Sequence, residues 1–147
     1  MTHDLDRKLL NLLVSNSRLS SKDLAKETDV SIVTVLKRVK ALEQAGLIKR
    51  CTADLDYEKL GYDVSVLIKM RIAKGKLFEV EGKIANDSHV FAVYDITGDF
   101  DAVVLAKFKS RKMMDIFLKK IQTFDFVERT ETSLILNTIK ESNIPIE

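Results

Sequence analysis

Within three residues this chain ends one short amphipathic segment and opens another. Ser20-Ser21-Lys22-Asp23 has capping-box spacing and opens a helix through Leu24, Ala25 and Glu27. Thr28-Asp29-Val30 has room only for a tight turn, and aspartate tolerates the left-handed conformation better than most non-glycine residues. Ser31 then caps a second segment, SIVTVLKRVKALEQAG, which Gly46 can end in the left-handed region. Two helices joined by so little chain must turn a corner, the helix-turn-helix arrangement.

In the second helix Ile32, Val35, Leu36, Val39 and Leu42 recur as one apolar stripe. Thr34, Lys37, Arg38, Ala41 and Gln44 fall on the other side, a short basic face. A helix that buries one side and offers small polar and cationic groups on the other fits a DNA major groove. The candidate contacts are Ser31, Val33, Thr34, Lys37, Arg38 and Lys40, with Ser20 and Ser21 opening the preceding helix and Lys49 and Arg50 beyond Gly46. Lys37 and Arg38 are expected to reach phosphates or base edges, and Lys40, Lys49 and Arg50 the backbone alone. Net charge is only +2, which excludes a polybasic coat. Between Ile32 and Arg50, however, five basic residues face Glu43 alone, while residues 63–147 balance 13 basic against 13 acidic side chains. A basic spot on a neutral body implies a local anionic partner. Upstream, Leu5, Leu9, Leu12 and Leu13 share a helical face, with Asp4 and Asp6 near its positive end.

The second half reads differently. Val64, Val66, Ile68, Met70 and Ile72 alternate with Ser65, Leu67, Lys69 and Arg71, which predicts a strand with one core face. A helix follows through Leu77, Val80 and Ile84. His89–Ile96 and Asp101–Lys109 read as strands joined by Thr97-Gly98-Asp99-Phe100, then a helix through Met113, Met114, Phe117 and Ile121, then a strand over Val127–Ile139. The order β-α-β-β-α-β is the ferredoxin-like arrangement, with both helices on one face of an antiparallel sheet. On the uncovered face the alternation places Leu67, Phe91, Val93, Val103, Leu105, Leu134 and Leu136. Leaving them in water forfeits roughly 1.5–3 kcal/mol per side chain, so a second copy of the sheet is the expected cover. Gly98, Asp99, Phe100 and Asp101 are the candidate effector-binding residues: glycine exposes backbone N–H groups to a carboxylate, and aspartate suits an ammonium. The same residues also make an ordinary hairpin turn.

The fold class expected is therefore α+β. A winged-helix-like helix-turn-helix domain occupies residues 1–50, a strand and linker 51–62 with Gly61 as the boundary, and a ferredoxin-like domain 63–147. From Asp4 to Lys140 the chain resembles the Lrp/AsnC family of regulators, also called feast/famine regulators. The resemblance rests on Leu5-Asp6-Arg7, Asp23-Leu24-Ala25, Val35-x-x-Arg38-Val39, Leu42-Glu43 and Gly46-Leu47-Ile48, and on Gly98-x-x-Asp101 in the second half. Asp29 departs from it, since the family usually has glycine in that turn. The resemblance implies a sequence-specific regulator of transcription on double-stranded DNA, and a homodimer formed through its sheets that assembles into an octamer of four dimers. It also places the Gly98–Asp101 loop near an amino-acid effector site where dimers meet.

Two other readings fit the residues: an architectural protein with little sequence preference, and an amino-acid-sensing regulatory subunit of a biosynthetic enzyme. His3, His89 and Cys51 form no nucleophile or metal spacing, and CxxC, HExxH and glycine-rich phosphate loops are missing, so no enzyme, metal or cofactor is expected. The single cysteine excludes an internal disulfide and suits a reducing cytoplasm. Met1–Arg7 lacks a signal-peptide pattern, and no apolar run approaches the roughly 20 residues of a membrane span.

Overall fold

A computed structural model describes residues 4–147; His3 lies outside the described residues. The chain forms two compact units, one of residues 1–54 (described from residue 4) with 140–147, the other Leu55–Ile139.

The first unit holds α1 (Asp4–Ser15), α2 (Ser21–Thr28) and α3 (Ile32–Gln44). The helices meet around Leu9, Leu24, Ala25 and Val35, with Leu5, Leu12, Leu13, Leu19, Val30 and Val39 packed at the margin. Asp29 ends α2 at φ 55°, ψ 43°, so aspartate does hold the left-handed turn. The apolar stripe of α3 is narrower than its spacing predicts. Val35 and Leu42 are buried, but Ile32 is 45% and Leu36 53% exposed, since both point away from the small core that α1 and α2 supply. Residues 47–53 form no strand. The N–H groups of Leu47 and Ile48 both donate to the carbonyl of Leu42, which turns the chain back on the end of α3. The final residues are not a loose tail: the Asn11 amide donates to the Ile146 carbonyl at 3.0 Å and accepts from its N–H at 2.7 Å.

The second unit is an antiparallel sheet ordered β2-β3-β1-β4, built from β1 (Val64–Ile72), β2 (Val90–Asp95), β3 (Ala102–Phe108) and β4 (Val127–Leu134). Helices α4 (Leu77–Ala85) and α5 (Arg111–Gln122) supply Val80, Ile84, Phe117 and Ile121 to one core with Val66, Ile68, Met70, Val104 and Phe108. This is the ferredoxin-like arrangement. The unit starts before Gly61 because the linker is anchored: Tyr57 and Tyr62 meet edge to face at 5.5 Å, beneath Lys107 and Lys109.

Two positions assigned to the uncovered face lie on the helix-covered one. Val93 pairs with the core residue Val104 because a bulge between Val90 and Ala92 breaks the alternation. Leu134 pairs with Val66 and shares its face. The last strand also stops at Leu134, not Ile139. Ile135 still donates to Ser65 at 2.8 Å, but β1 begins at Val64 and offers no further partners, so Leu136 lies beyond the sheet. What remains on the uncovered face is Leu67, Val103 and Leu105 flanked by Ala92 and Tyr94. Lys69–Glu131 at 2.6 Å lies at its edge, and Lys107 stands over the Phe91 ring at 4.8 Å.

Candidate DNA-binding helix and ligand loop

Two serines set the helix-turn-helix geometry. Ser20 accepts from the Asp23 N–H at 3.1 Å while the Asp23 carboxylate accepts from the N–H and hydroxyl of Ser20. These bonds hold the Asp23 carboxyl below the usual carboxylate range. The Ser20 hydroxyl is thereby spent on starting α2 and is no free donor to DNA; Ser21 is half-buried in its first turn. Ser31 accepts from the Thr34 N–H at 3.1 Å, and the two hydroxyls lie 2.9 Å apart. Only one proton is needed between them, so the other can be donated outward from the start of α3.

Val33, Lys37, Lys40 and Gln44 are all exposed, and their i, i+4, i+7, i+11 spacing sets them on one face opposite Val35 and Leu42. This face is turned from the one expected. Arg38 flanks the buried side near Leu42 and Val35, and its guanidinium grips the carboxylate of Asp6 on α1 through two bonds, Nε to Oδ1 at 2.8 Å and a shorter one to Oδ2. The Asp6 side chain is only 7% exposed, that of Arg38 40%. A carboxylate buried to that degree is costly without a cation, so Arg38 joins α3 to α1, and two of the guanidinium nitrogens expected to be free for DNA are engaged within the chain. Lys40, expected to touch backbone alone, stands on the central face. Lys49 and Arg50 are exposed beyond α3. The surface thus combines two lysines, an amide, a small apolar side chain and a hydroxyl, suited to phosphates and base edges.

In the second unit the residues Gly98–Asp101 close β2 onto β3, with Gly98 at φ 107°. Asp101 is tied into the sheet. Its N–H donates to the Met70 carbonyl at 2.9 Å, and its Oδ2 accepts from the Ile72 N–H at 2.7 Å, fixing the turn to the end of β1. Asp99 is the exposed carboxylate of the loop. The Phe100 ring lies under Lys69 at 5.1 Å and Arg129 at 5.4 Å, so it belongs to the sheet surface. His89 stacks on Phe108 at 4.9 Å and bonds Asp87, which makes it structural. Among the described residues no group of three or more metal-ligating side chains exists, and no helix is long and apolar enough to cross a membrane. Sequence reasoning missed Asp6, Asn11 and Glu81; their partners are distant in the chain, and no local spacing signals them.

Residues 2–49 match the winged helix-turn-helix DNA-binding family, and residues 65–145 the Lrp/AsnC ligand binding domain. The chain belongs to the Lrp/AsnC family. An uncharacterised HTH-type transcriptional regulator from Pyrococcus furiosus is 45% identical over 138 residues, covering 94% of this chain and 93% of that one. The structure of AsnC from E. coli superposes with a TM-score of 0.90 at 28% identity, covering 99% of each chain. A transcriptional regulator from Neisseria meningitidis, solved as its L-Met complex, gives 0.91 at 23% identity over 100% of this chain and 97% of that one, a likeness of fold. The protein is accordingly an Lrp/AsnC-type transcriptional regulator, with a DNA-binding helix-turn-helix unit and a ligand-binding unit.

Proposed function

We propose that this Lrp/AsnC protein is a cytoplasmic, sequence-specific regulator that reads double-stranded DNA with the Val33–Lys37–Lys40–Gln44 face of α3. The observation that carries this reading is that the face is solvent-exposed while the Arg38–Asp6 pair fixes the helix beneath it. An architectural protein needs phosphate contacts only; Val33 and Gln44, centred on the face, are suited to base edges instead. The test uses the full chain and duplexes enriched from a random pool, competed with random DNA. A specificity ratio above about a thousand is expected, and a ratio near one would leave the architectural reading. Lys37→Ala should weaken binding and change the preferred sequence. Lys49→Ala should weaken all sequences alike and lower the salt slope by about one.

The uncovered sheet face supports a homodimer, with an octamer of four dimers as a further step. Leu67, Val103 and Leu105 line its centre, and two-fold paired α3 helices would read half-sites about 34 Å apart. Leu67→Glu should convert the sedimenting dimer into monomer; a wild-type monomer at micromolar concentration would remove the pairing. For the ligand-binding unit the reading is an amino acid held beside Gly98–Asp101, a class supported by the amino acid in the Neisseria protein. Because Asp101 secures Ile72, Asp99→Ala is the cleaner probe. Thermal shifts across the twenty amino acids would test it, and no shift with any of them would reduce the loop to a turn.

A further inference from the structure

The free face of α3 changes character along its length. Ile32, Val33 and Leu36, in the first half, are 45%, 60% and 53% exposed. A rotation of about 100° per residue sets Leu36, one turn on, between Ile32 and Val33, so the three close one apolar patch. Lys37, Lys40 and Gln44 carry the face on toward the end of the helix, and all are exposed. Among the described residues neither lysine has an ion-pair partner. Glu43 lies on the Leu36 edge two turns later. A carboxylate there is repelled by phosphate, so this edge approaches a duplex by its first half, the half that meets base edges when such a helix docks.

The floor of a major groove is a row of donors and acceptors: N7 and O6 of guanine, N4 of cytosine, N6 and N7 of adenine, O4 of thymine. An isoleucine, valine or leucine laid over them takes away their water and returns no hydrogen bond. The one apolar group in the row is the C5-methyl of thymine. Over that methyl the same side chains bury apolar surface on both partners. The patch is continuous with Lys37 and Lys40 and lies inside residues 2–49, the stretch that matches the DNA-binding family. A protein partner seated on the patch would also cover both free lysines, whereas DNA supplies the phosphates that they lack.

We infer that Ile32, Val33 and Leu36 read thymine methyl groups, with Val33 at the centre, so that each half-site carries thymine where the first half of α3 meets the groove. The inference rests on the reading of α3 as the DNA-reading helix and names the chemical group that this part of it selects. Ile32 to Leu36 spans about 6 Å along the helix, close to two base-pair steps of about 3.4 Å. The patch therefore covers one or two thymines. Lys37, Lys40 and Gln44 serve the phosphates and the polar base edges beyond them.

The full chain is titrated against a duplex enriched from a random pool, with each thymine replaced in turn by uracil. Uracil keeps the O4 acceptor and the pairing edge and lacks only the methyl. At one or two positions in each half-site affinity should fall about fourfold, and at the others it should hold. Cytosine placed at such a position should regain about fourfold on conversion to 5-methylcytosine. Val33→Ala suits a helix and changes an exposed side chain, so the melting temperature should hold while the thymine-to-uracil ratio drops toward one. Ile32→Ala and Leu36→Ala should lower the same ratio by less. Uracil equal to thymine at every position would overturn the proposal, as would a thymine preference untouched by all three alanine variants. In both cases a specificity ratio that stays above about a thousand over random DNA leaves α3 reading by its polar groups. A ratio near one would remove that reading and this proposal together.

Discussion

The two units of this protein stay folded by different means. The ferredoxin-like unit buries thirteen residues in one core, and backbone ladders join its four strands, two of the three pairings with one irregularity each. Among the described residues the helix-turn-helix unit has a core cluster of four buried side chains, and it relies on particular polar bonds: the Ser20–Asp23 capping box, the Asp6–Arg38 pair and the Asn11–Ile146 clasp. A small domain buries too little apolar area to fix its helices by packing alone. The consequence reaches the DNA-binding helix itself, because a basic residue of α3 is held as a brace.

The sharpest way to break this contrast is to cut each core once. Leu9 and Ile68 are both fully buried, and truncating either to alanine should cost about 2–5 kcal/mol. The same loss is a larger share of the smaller unit's stability. Leu9→Ala should therefore abolish the helix-turn-helix transition in calorimetry and DNA binding with it, leaving the sheet unit's transition in place. Ile68→Ala should lower the sheet unit's melting temperature without unfolding it. Loss of one common transition in both variants would show that the units do not fold separately.

Next in size is the brace. Arg38→Ala takes two guanidinium bonds from the buried Asp6 carboxylate, whereas Asp6→Ala frees a guanidinium that reaches water. The first should lower the melting temperature more than the second, and the double variant should be more stable than Arg38→Ala alone. Additive effects would mean that the pair is incidental. Asp6→Ala also separates brace from reader: if Arg38 only braces α3, sequence preference survives at temperatures where the variant is folded.

Much of this was legible in the sequence, and the failures share a cause. The capping box, the Asp29 turn and the βαββαβ order rest on spacing within a few residues, and all are present. The bracing by Arg38 was not legible because helical periodicity resolves a face only coarsely and knows nothing of Asp6, 32 residues upstream. Val93 was misplaced by a bulge at which strict alternation fails. Leu134 was misplaced by a register shift between Arg71 and Ile72 that reverses the alternation along β4, and Leu136 because β4 ends at Leu134. Glu81 reads as an ordinary solvated helix residue until Asp95 is brought beside it.

A third prediction uses pH to separate the units. Glu81 has its folded pKa raised, so its contribution to stability is full below its ordinary value near 4.5 and is lost as pH rises through about 7. Asp23 has its pKa lowered by Ser20, so its contribution is present above its ordinary 3.8 and is lost as pH falls. Glu81→Gln should thus match the wild type near pH 4.5 and melt higher at pH 8, in the sheet unit's transition alone. A constant difference across that range would exclude the raised pKa of Glu81.

The smallest effect belongs to the clasp, and it tests whether polar bonds matter to the helical unit even where water can replace them. The Asn11 amide satisfies both backbone groups of Ile146, but the bonds are solvent-exposed. Each should lie at the lower end of the roughly 0.5–1.5 kcal/mol typical of a hydrogen bond. Asn11→Ala removes both; Asn11→Asp keeps the acceptor for the Ile146 N–H and sets a carboxylate against its carbonyl. The alanine variant should lower the helix-turn-helix transition by a degree or two, leave the sheet unit's transition unmoved, and speed hydrogen exchange at the Ile146 amide and proteolysis after Lys140. The aspartate variant should retain part of the amide's protection and show similar proteolysis. Unchanged exchange at Ile146 in Asn11→Ala would mean that the final residues are held by something other than this amide, and the contrast between the units would then rest on Ser20 and Arg38 alone.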